Sequence, residues 1–174
     1  RIARLTTDDD QAALTASKLF EKGERADLAA QVLAEGAAAI EDPVARGQLM
    51  QRLGELREQL GEAILAGDSY AEAADALRNG KLWDEADRLY SAAESWEKAA
   101  NAAYQRGLLT GDLKQQAACY ARAADYLSRA NREDEALARL EEATEFDPLN
   151  DDYANLLVAR YNQADATDKL VAFL

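Results

Sequence analysis

The sequence predicts an all-α protein made of antiparallel helix pairs, and three observations carry that prediction. With two prolines and nine glycines in 174 residues the chain has few helix breakers. Ala, Leu, Glu, Arg and Gln, which lose little entropy in a helix, are abundant, whereas the Val, Ile and Thr that strands prefer are sparse. Apolar residues recur at three- and four-residue intervals, the spacing of one helical face. No apolar run passes about five residues, far short of the ~20 that a membrane-spanning helix needs, and no signal-peptide pattern is present.

Short punctuators divide the pattern into helices. The triple Asp8-Asp9-Asp10 just precedes the first helical stretch and is read as its cap, since negative charge favours helix N-termini. A calcium loop is the weaker reading, because the spaced ligands and glycine of an EF-hand are missing. Breaks follow near Gly23, near Glu41-Asp42-Pro43, at Gly61, at Asn79-Gly80, at Glu94-Ser95 and at Leu109-Thr110-Gly111. Three more fall at Asn131, at Pro148-Leu149-Asn150 and near Asp165. Glu133-Asp134-Glu135 opens the helix after Asn131. Asp147-Pro148 closes that helix, because proline disfavours helical geometry in the residue before it. Asn150, Asp151 and Asp152 then supply N-cap candidates for the next one.

The stretch ANREDEALARLEEATEFDP, residues 130–148, exposes a repeat when aligned on Ala66, Ala99 and Ala136, spaced 33 and 37 residues apart. Sixteen positions before each alanine stands Met50, Trp83 or Tyr120. Thirteen and twelve before stand Leu53-Gly54, Ala86-Asp87 and Ala123-Ala124, and nine before stand Arg57, Tyr90 and Leu127. Four after come Tyr70, Ala103 and Leu140, and seven after come Ala73, Arg106 and Ala143. Small residues at such places allow close helix approach while large ones fill the gaps between successive hairpins. The longer second interval fits an insertion around GLLTGDLKQQ that lengthens the turn or the next helix by about one turn.

This constellation resembles the tetratricopeptide repeat (TPR) family, a helix-turn-helix unit of about 34 residues with the pattern W-x-x-L-G-x-x-Y, then A, F, A and P. Ala136, Leu140 and Ala143 fall on the second-helix A, F and A, and Pro148 on the proline. The resemblance implies a right-handed α-solenoid of antiparallel hairpins over residues 1–174, a single TPR-like segment. Its approximate units are 10–42 (degenerate, with Leu19, Gly23, Ala29 and Leu33 placed loosely), 47–80, 80–113, 117–150 and a partial unit at 151–174. Lacking an initial methionine and ending in KLVAFL, the chain reads as a segment of something longer.

Chemistry is poorly represented. Histidine is absent, which removes the commonest general base and transition-metal ligand. With one cysteine, the usual zinc sites are also missing. No GxGxxG, GxxxxGK[ST] or GxSxG pattern occurs. Cys119 is read as a small buried thiol, Trp83 and Trp96 as packing residues, and Glu141, Glu142 and Glu145 as a solvated face. The expectation is therefore a chain that is not an enzyme and takes no cofactor or metal. Its net charge of −13 would repel phosphate backbones and anionic lipid, so nucleic acid and membrane insertion are not expected. A lone cysteine leaves the compartment open, with a reducing cytoplasm favoured.

A protein or peptide is the expected partner. The resemblance implies that the concave surface is lined by first helices at places two, five, nine, twelve and thirteen of each unit. In this sequence the positions singled out there are Gln51, Glu55 and Glu58; Lys81, Asp84 and Arg88; Asp125 and Arg129; and Asn155 and Asn162. Arg88, Arg122 and Arg129 are expected to gather a small basic patch in an otherwise acidic and polar groove. The clamp with which some family members hold a peptide carboxylate, built from Lys and Asn, is not recognisable, since its places hold mostly Gln, Glu, Asp and Ala. Two alternatives stand beside the scaffold reading. One is an architectural segment self-associating through apolar ends such as Leu170, Val171, Phe173 and Leu174. The other is a regulatory domain of a longer multidomain protein.

Overall fold

A computed structural model describes residues 7–163 and 167–173. Ten α-helices occur among the described residues: α1 (Thr7–Lys22), α2 (Ala26–Ala39), α3 (Pro43–Gln59), α4 (Ala63–Leu77) and α5 (Gly80–Ala92), followed by α6 (Trp96–Leu108), α7 (Leu113–Arg129), α8 (Glu133–Phe146), α9 (Asp151–Gln163) and α10 (Thr167–Phe173). No strand is present among them. The fold is thus all-α, and the breaks expected from Gly23 to Asn150 each separate two helices. The break near Asp165 lies outside the described residues. Asp8-Asp9-Asp10 departs from expectation in one respect: the three positions lie within α1 instead of preceding it.

Caps fix the helix starts. Asp42 accepts the Ala45 N–H at 2.8 Å with Pro43 next in line, a residue that suits the first helical position. Asn79 caps α5, Asp112 caps α7 and Asn150 caps α9 through bonds from the N–H groups two or three residues on. Helix ends share a second device. After α1, α3, α5 and α7 the chain turns in three residues whose middle member is left-handed: Glu24 (φ 57°), Gly61 (φ 76°), Glu94 (φ 53°) and Asn131 (φ 59°). The N–H of the third residue reaches back into the helix in every case: Arg25 to Phe20, Glu62 to Arg57, Ser95 to Tyr90 and Arg132 to Leu127, at 2.8–2.9 Å. This is the Schellman arrangement, which satisfies carbonyls that the helix end leaves open.

Only Gly61 and Asn131 suit that conformation, so Glu24 and Glu94 hold it under strain. Glu94→Gly is expected to raise stability by about 0.5–1 kcal/mol, since the exposed side chain gives up little and the left-handed strain is removed. A urea melt with an unchanged or lower midpoint would contradict this.

The chain divides into two compact parts, Arg1–Ser95 and Trp96–Leu174. In the first part, α3 and α4 run antiparallel: Gly47 meets Leu77, Gly54 meets the Tyr70 ring, and Arg57 reaches Ser69 and the Leu65 carbonyl. Leu33, Leu49, Leu53 and Leu56 are almost wholly buried and fill the centre of the α1–α2–α3 cluster. In the second part α6, α7 and α8 are antiparallel neighbours in turn. Gly107 meets Tyr120 and Ala100 meets Leu127, while Leu127, Ala124 and Tyr120 meet Ala136, Leu140 and Ala143 in order. Helices α3 and α7 have 17 residues and α5 has 13. The longer second repeat interval is therefore absorbed by a first helix one turn longer than its predecessor.

Burial follows the repeat. Ala66, Ala99 and Ala136, the aligned alanines, are at most 3% exposed, and so are Ala73, Ala103, Leu140 and Ala143. Asp87, which stands where the other units use small residues, is buried as well. Arg57 stands where the others place Tyr90 and Leu127, and it fills the place differently, by donating to Ser69 Oγ at 2.8 Å.

Candidate partner-binding faces

In the first part the candidate residues lie on two helices whose backs are anchored. Leu49, Leu53 and Leu56 bury one side of α3, which leaves Gln51, Glu55 and Glu58, at helical spacing, half-buried on another. Leu82, Trp83, Ala86 and Leu89 do the same for α5, leaving Lys81, Asp84 and Arg88 exposed. The two faces are brought together by Arg88: its Nη2 lies 2.7 Å from Glu58 Oε1, and its Nε donates to Glu85 Oε2 at 2.9 Å. Arg52 makes a similar link toward α1, pairing with both Glu55 and Glu21. Tyr70 donates to Glu58 at 3.5 Å. Burial, reinforced by the Glu58 charge, pushes its phenol up to about 12.

In the second part Asp125 and Arg129 are exposed and paired on α7, with Arg129 Nε 2.9 Å from Asp125 Oδ2. Asn155 and Asn162 are exposed on α9, and Asn162 bonds back to its own helix at the Val158 carbonyl. No hydrogen bond or ion pair among the described residues joins these asparagines to Asp125 or Arg129.

The expected basic patch is corrected by this pairing. Arg88 is held by two carboxylates and Arg129 by one, within their own parts of the chain, so neither is a reserve of free positive charge. In a chain with 33 acids and 20 basic residues, arginines find acids first. The solvated face expected of Glu141, Glu142 and Glu145 is also corrected in two places. Glu141 accepts from Tyr161 at 2.9 Å and from Lys169 at 2.8 Å, and Glu142 pairs with Arg139. The Tyr161 phenol, buried and bonded to that carboxylate, is pushed up to about 12. Of the apolar end residues, Leu170 and Phe173 pack on the Leu140–Leu157–Tyr161 cluster, whereas Val171 stays exposed. Leu174 lies outside the described residues.

Two features were not legible in the sequence. Trp96 is only half-buried: its ring stacks on Tyr126 with centroids 5.9 Å apart, and the Arg129 guanidinium lies 4.9 Å from its centre. A deeper counterpart places Arg139 over Tyr104 at 4.4 Å, beside a cleft of about 270 Å³ between α6 and α8 floored by Ala123 and Leu127. The spacing of Tyr126 and Arg129 on one helix turn was a usable signal, but their meeting with Trp96 depends on the α6–α7 packing. Cys119 is buried, as expected. Among the described residues no group of three His, Cys, Asp or Glu side chains could hold a metal ion, and no helix is long and apolar enough to cross a membrane.

Antiparallel hairpins closed by one recurrent turn, with polar faces on their first helices, define a TPR-like helical-repeat protein. No known family profile and no curated protein sequence matches the chain. Solved structures do. A crystal structure of MamA aligns with a TM-score of 0.50 at 13% identity over 97% of this chain and 89% of that one. MamA AMB-1 aligns with a TM-score of 0.50 at 15% identity over 94% and 87%. MamA (41-end) from Desulfovibrio magneticus RS-1 aligns at 0.47, with 12% identity over 97% and 93%. MamA has a TPR-like solenoid fold, and at such identity the likeness is one of fold.

Proposed function

We propose that the chain is a non-catalytic protein-interaction scaffold, in which the first helices of the five repeat units read from the sequence offer their polar faces to a peptide or protein. One observation carries the reading. The Gln51–Glu55–Glu58 face of α3 and the Lys81–Asp84–Arg88 face of α5 are tied into one polar surface by the Arg88–Glu58 pair, above helices whose opposite sides are fully committed to packing. Such a surface offers many hydrogen-bonding groups on rigid elements, which suits recognition of an extended partner. The absence of histidine and of nucleophile and phosphate-loop motifs supports a role without catalysis. The TPR-like fold is consistent with this role and does not name the partner.

Charge reversal tests the face. In quantitative pull-down from the native host, a chain carrying Glu55→Lys with Asp84→Lys is expected to lose its protein partner at least ten-fold while keeping its thermal transition. Ten-fold corresponds to ~1.4 kcal/mol, within reach of two interface charges. Undiminished capture by the folded double variant would sink the assignment of this face.

A further inference from the structure

We propose that Trp96 and Asp125 form a guanidinium-binding site, occupied here by the chain's own Arg129 and open by competition to an arginine of a basic peptide. The proposal deepens the scaffold reading and rests on it for the existence of a partner.

The site is built from three elements of chemistry. Trp96, the first residue of α6, presents a half-exposed indole whose orientation is held by stacking on Tyr126, the two rings inclined by 25°. Over that indole lies the Arg129 guanidinium, 4.9 Å from the ring centre, where the negative face of the π-system attracts a cation. Asp125, one helical turn away, takes the Nε at 2.9 Å. An aromatic plate with a carboxylate beside it fits a planar, delocalised cation better than a compact ammonium.

How firmly Arg129 is held decides whether it can be displaced. Its side chain is 53% exposed and that of Asp125 54%, and among the described residues its two terminal nitrogens donate to nothing. Other arginines of the same part are held differently. Arg139, over Tyr104, is 27% exposed and paired with a Glu142 that is 34% exposed, and Arg132 is gripped by both Glu97 and Glu135. Arg139 is held by its burial and Arg132 by a second carboxylate. Arg129 has an exposed stack and one exposed ion pair, contacts that solvent screens and that an incoming arginine reproduces one for one. The surplus of acid over the whole chain favours the approach of a cationic segment.

The test uses the intact chain and hexa-arginine, measured by titration calorimetry at about 150 mM salt, where exposed charges beyond ~8 Å are screened. Arg129→Ala removes the internal occupant and is expected to tighten binding about five-fold, the factor to which the ~1 kcal/mol of an exposed cation–π contact converts. Lys114→Ala, which removes the same charge from an exposed place on the same helix, is expected to change binding less than about two-fold. Asp125→Asn and Trp96→Leu, each shown to fold by its circular dichroism melt, are expected to weaken binding in the Arg129→Ala background. Hexa-lysine is expected to bind that variant more weakly than hexa-arginine. Binding to Arg129→Ala no tighter than to Lys114→Ala, equal binding of the two peptides, or no binding of hexa-arginine would each overturn the site. Such a failure leaves the scaffold reading to the α3–α5 charge reversal, which uses neither Trp96 nor Arg129.

Discussion

Leu140→Ala is expected to lower the unfolding free energy by about 2–5 kcal/mol, the range for truncating a fully buried leucine. Leu140 is 1% exposed and joins three helices: it projects from α8 into a cluster with Ala124 of α7 and with Leu157 and Tyr161 of α9. Truncation removes the burial of its branched end and leaves a cavity that neighbours on two other helices cannot collapse to fill. The repeat architecture adds a second expectation. Each hairpin is stabilised by its neighbours, so weakening this junction should uncouple α9 and α10 from the preceding helices and broaden the melt. Urea denaturation followed by circular dichroism measures both effects. A loss below about 1 kcal/mol with an unchanged slope would mean that Leu140 does not carry the junction.

Gly67→Ala is expected to destabilise by about 1–3 kcal/mol, the effect of overpacking a filled contact. A Cβ at position 67 would sit 2.6 Å from the Tyr90 ring, a separation that real side chains do not reach. Tyr90 cannot swing aside cheaply. Its ring is buried to 4% exposure and its hydroxyl donates to Asp68 at 2.7 Å; burial first, and that bond second, push the phenol's pKa up. The α4–α5 contact therefore has to open, or the hydrogen bond has to break. Gly111→Ala is the natural comparison, since a Cβ there meets nothing within 4 Å and the backbone needs no left-handed angle. It should be neutral or slightly stabilising. Equal melting temperatures for the two variants would contradict the close approach of α4 to Tyr90.

The same geometry explains why some of the repeat was readable and some was not. The aligned alanines announce close contact because a packed helix face otherwise takes larger apolar residues, and Ala66, Ala99 and Ala136 are buried as that reasoning requires. The glycines at 67 and 107 carry the same information but stand at different places in their hairpins, so an alignment on alanines passes over them. The four recurrent turns were half visible. Gly61 and Asn131 are residues that tolerate a left-handed backbone, whereas Glu24 and Glu94 adopt it against their own preference within the same hydrogen-bonded turn.

Charges were the least legible. Arg88, Arg122 and Arg129 looked like a basic patch when taken in isolation, but Arg88 reaches Glu58 on another helix and Arg129 folds back over Trp96 and Asp125. A long side chain can reach carboxylates from several neighbouring turns and helices, and local spacing does not say which one it meets.

By itself the sequence determined the all-α class, the breaks between helices from Gly23 to Asn150 and the buried small-residue positions. Each of these follows from local rules: propensity, caps, and the 3.6-residue period that puts apolar residues on one side. Only the tertiary structure decided which acid each arginine meets, that Tyr90 and Tyr120 lie against glycines of the preceding helices, and that Trp96 presents a half-open face carrying Arg129. These depend on the distance and rotation of one helix against the next, and the helical period alone leaves both undetermined.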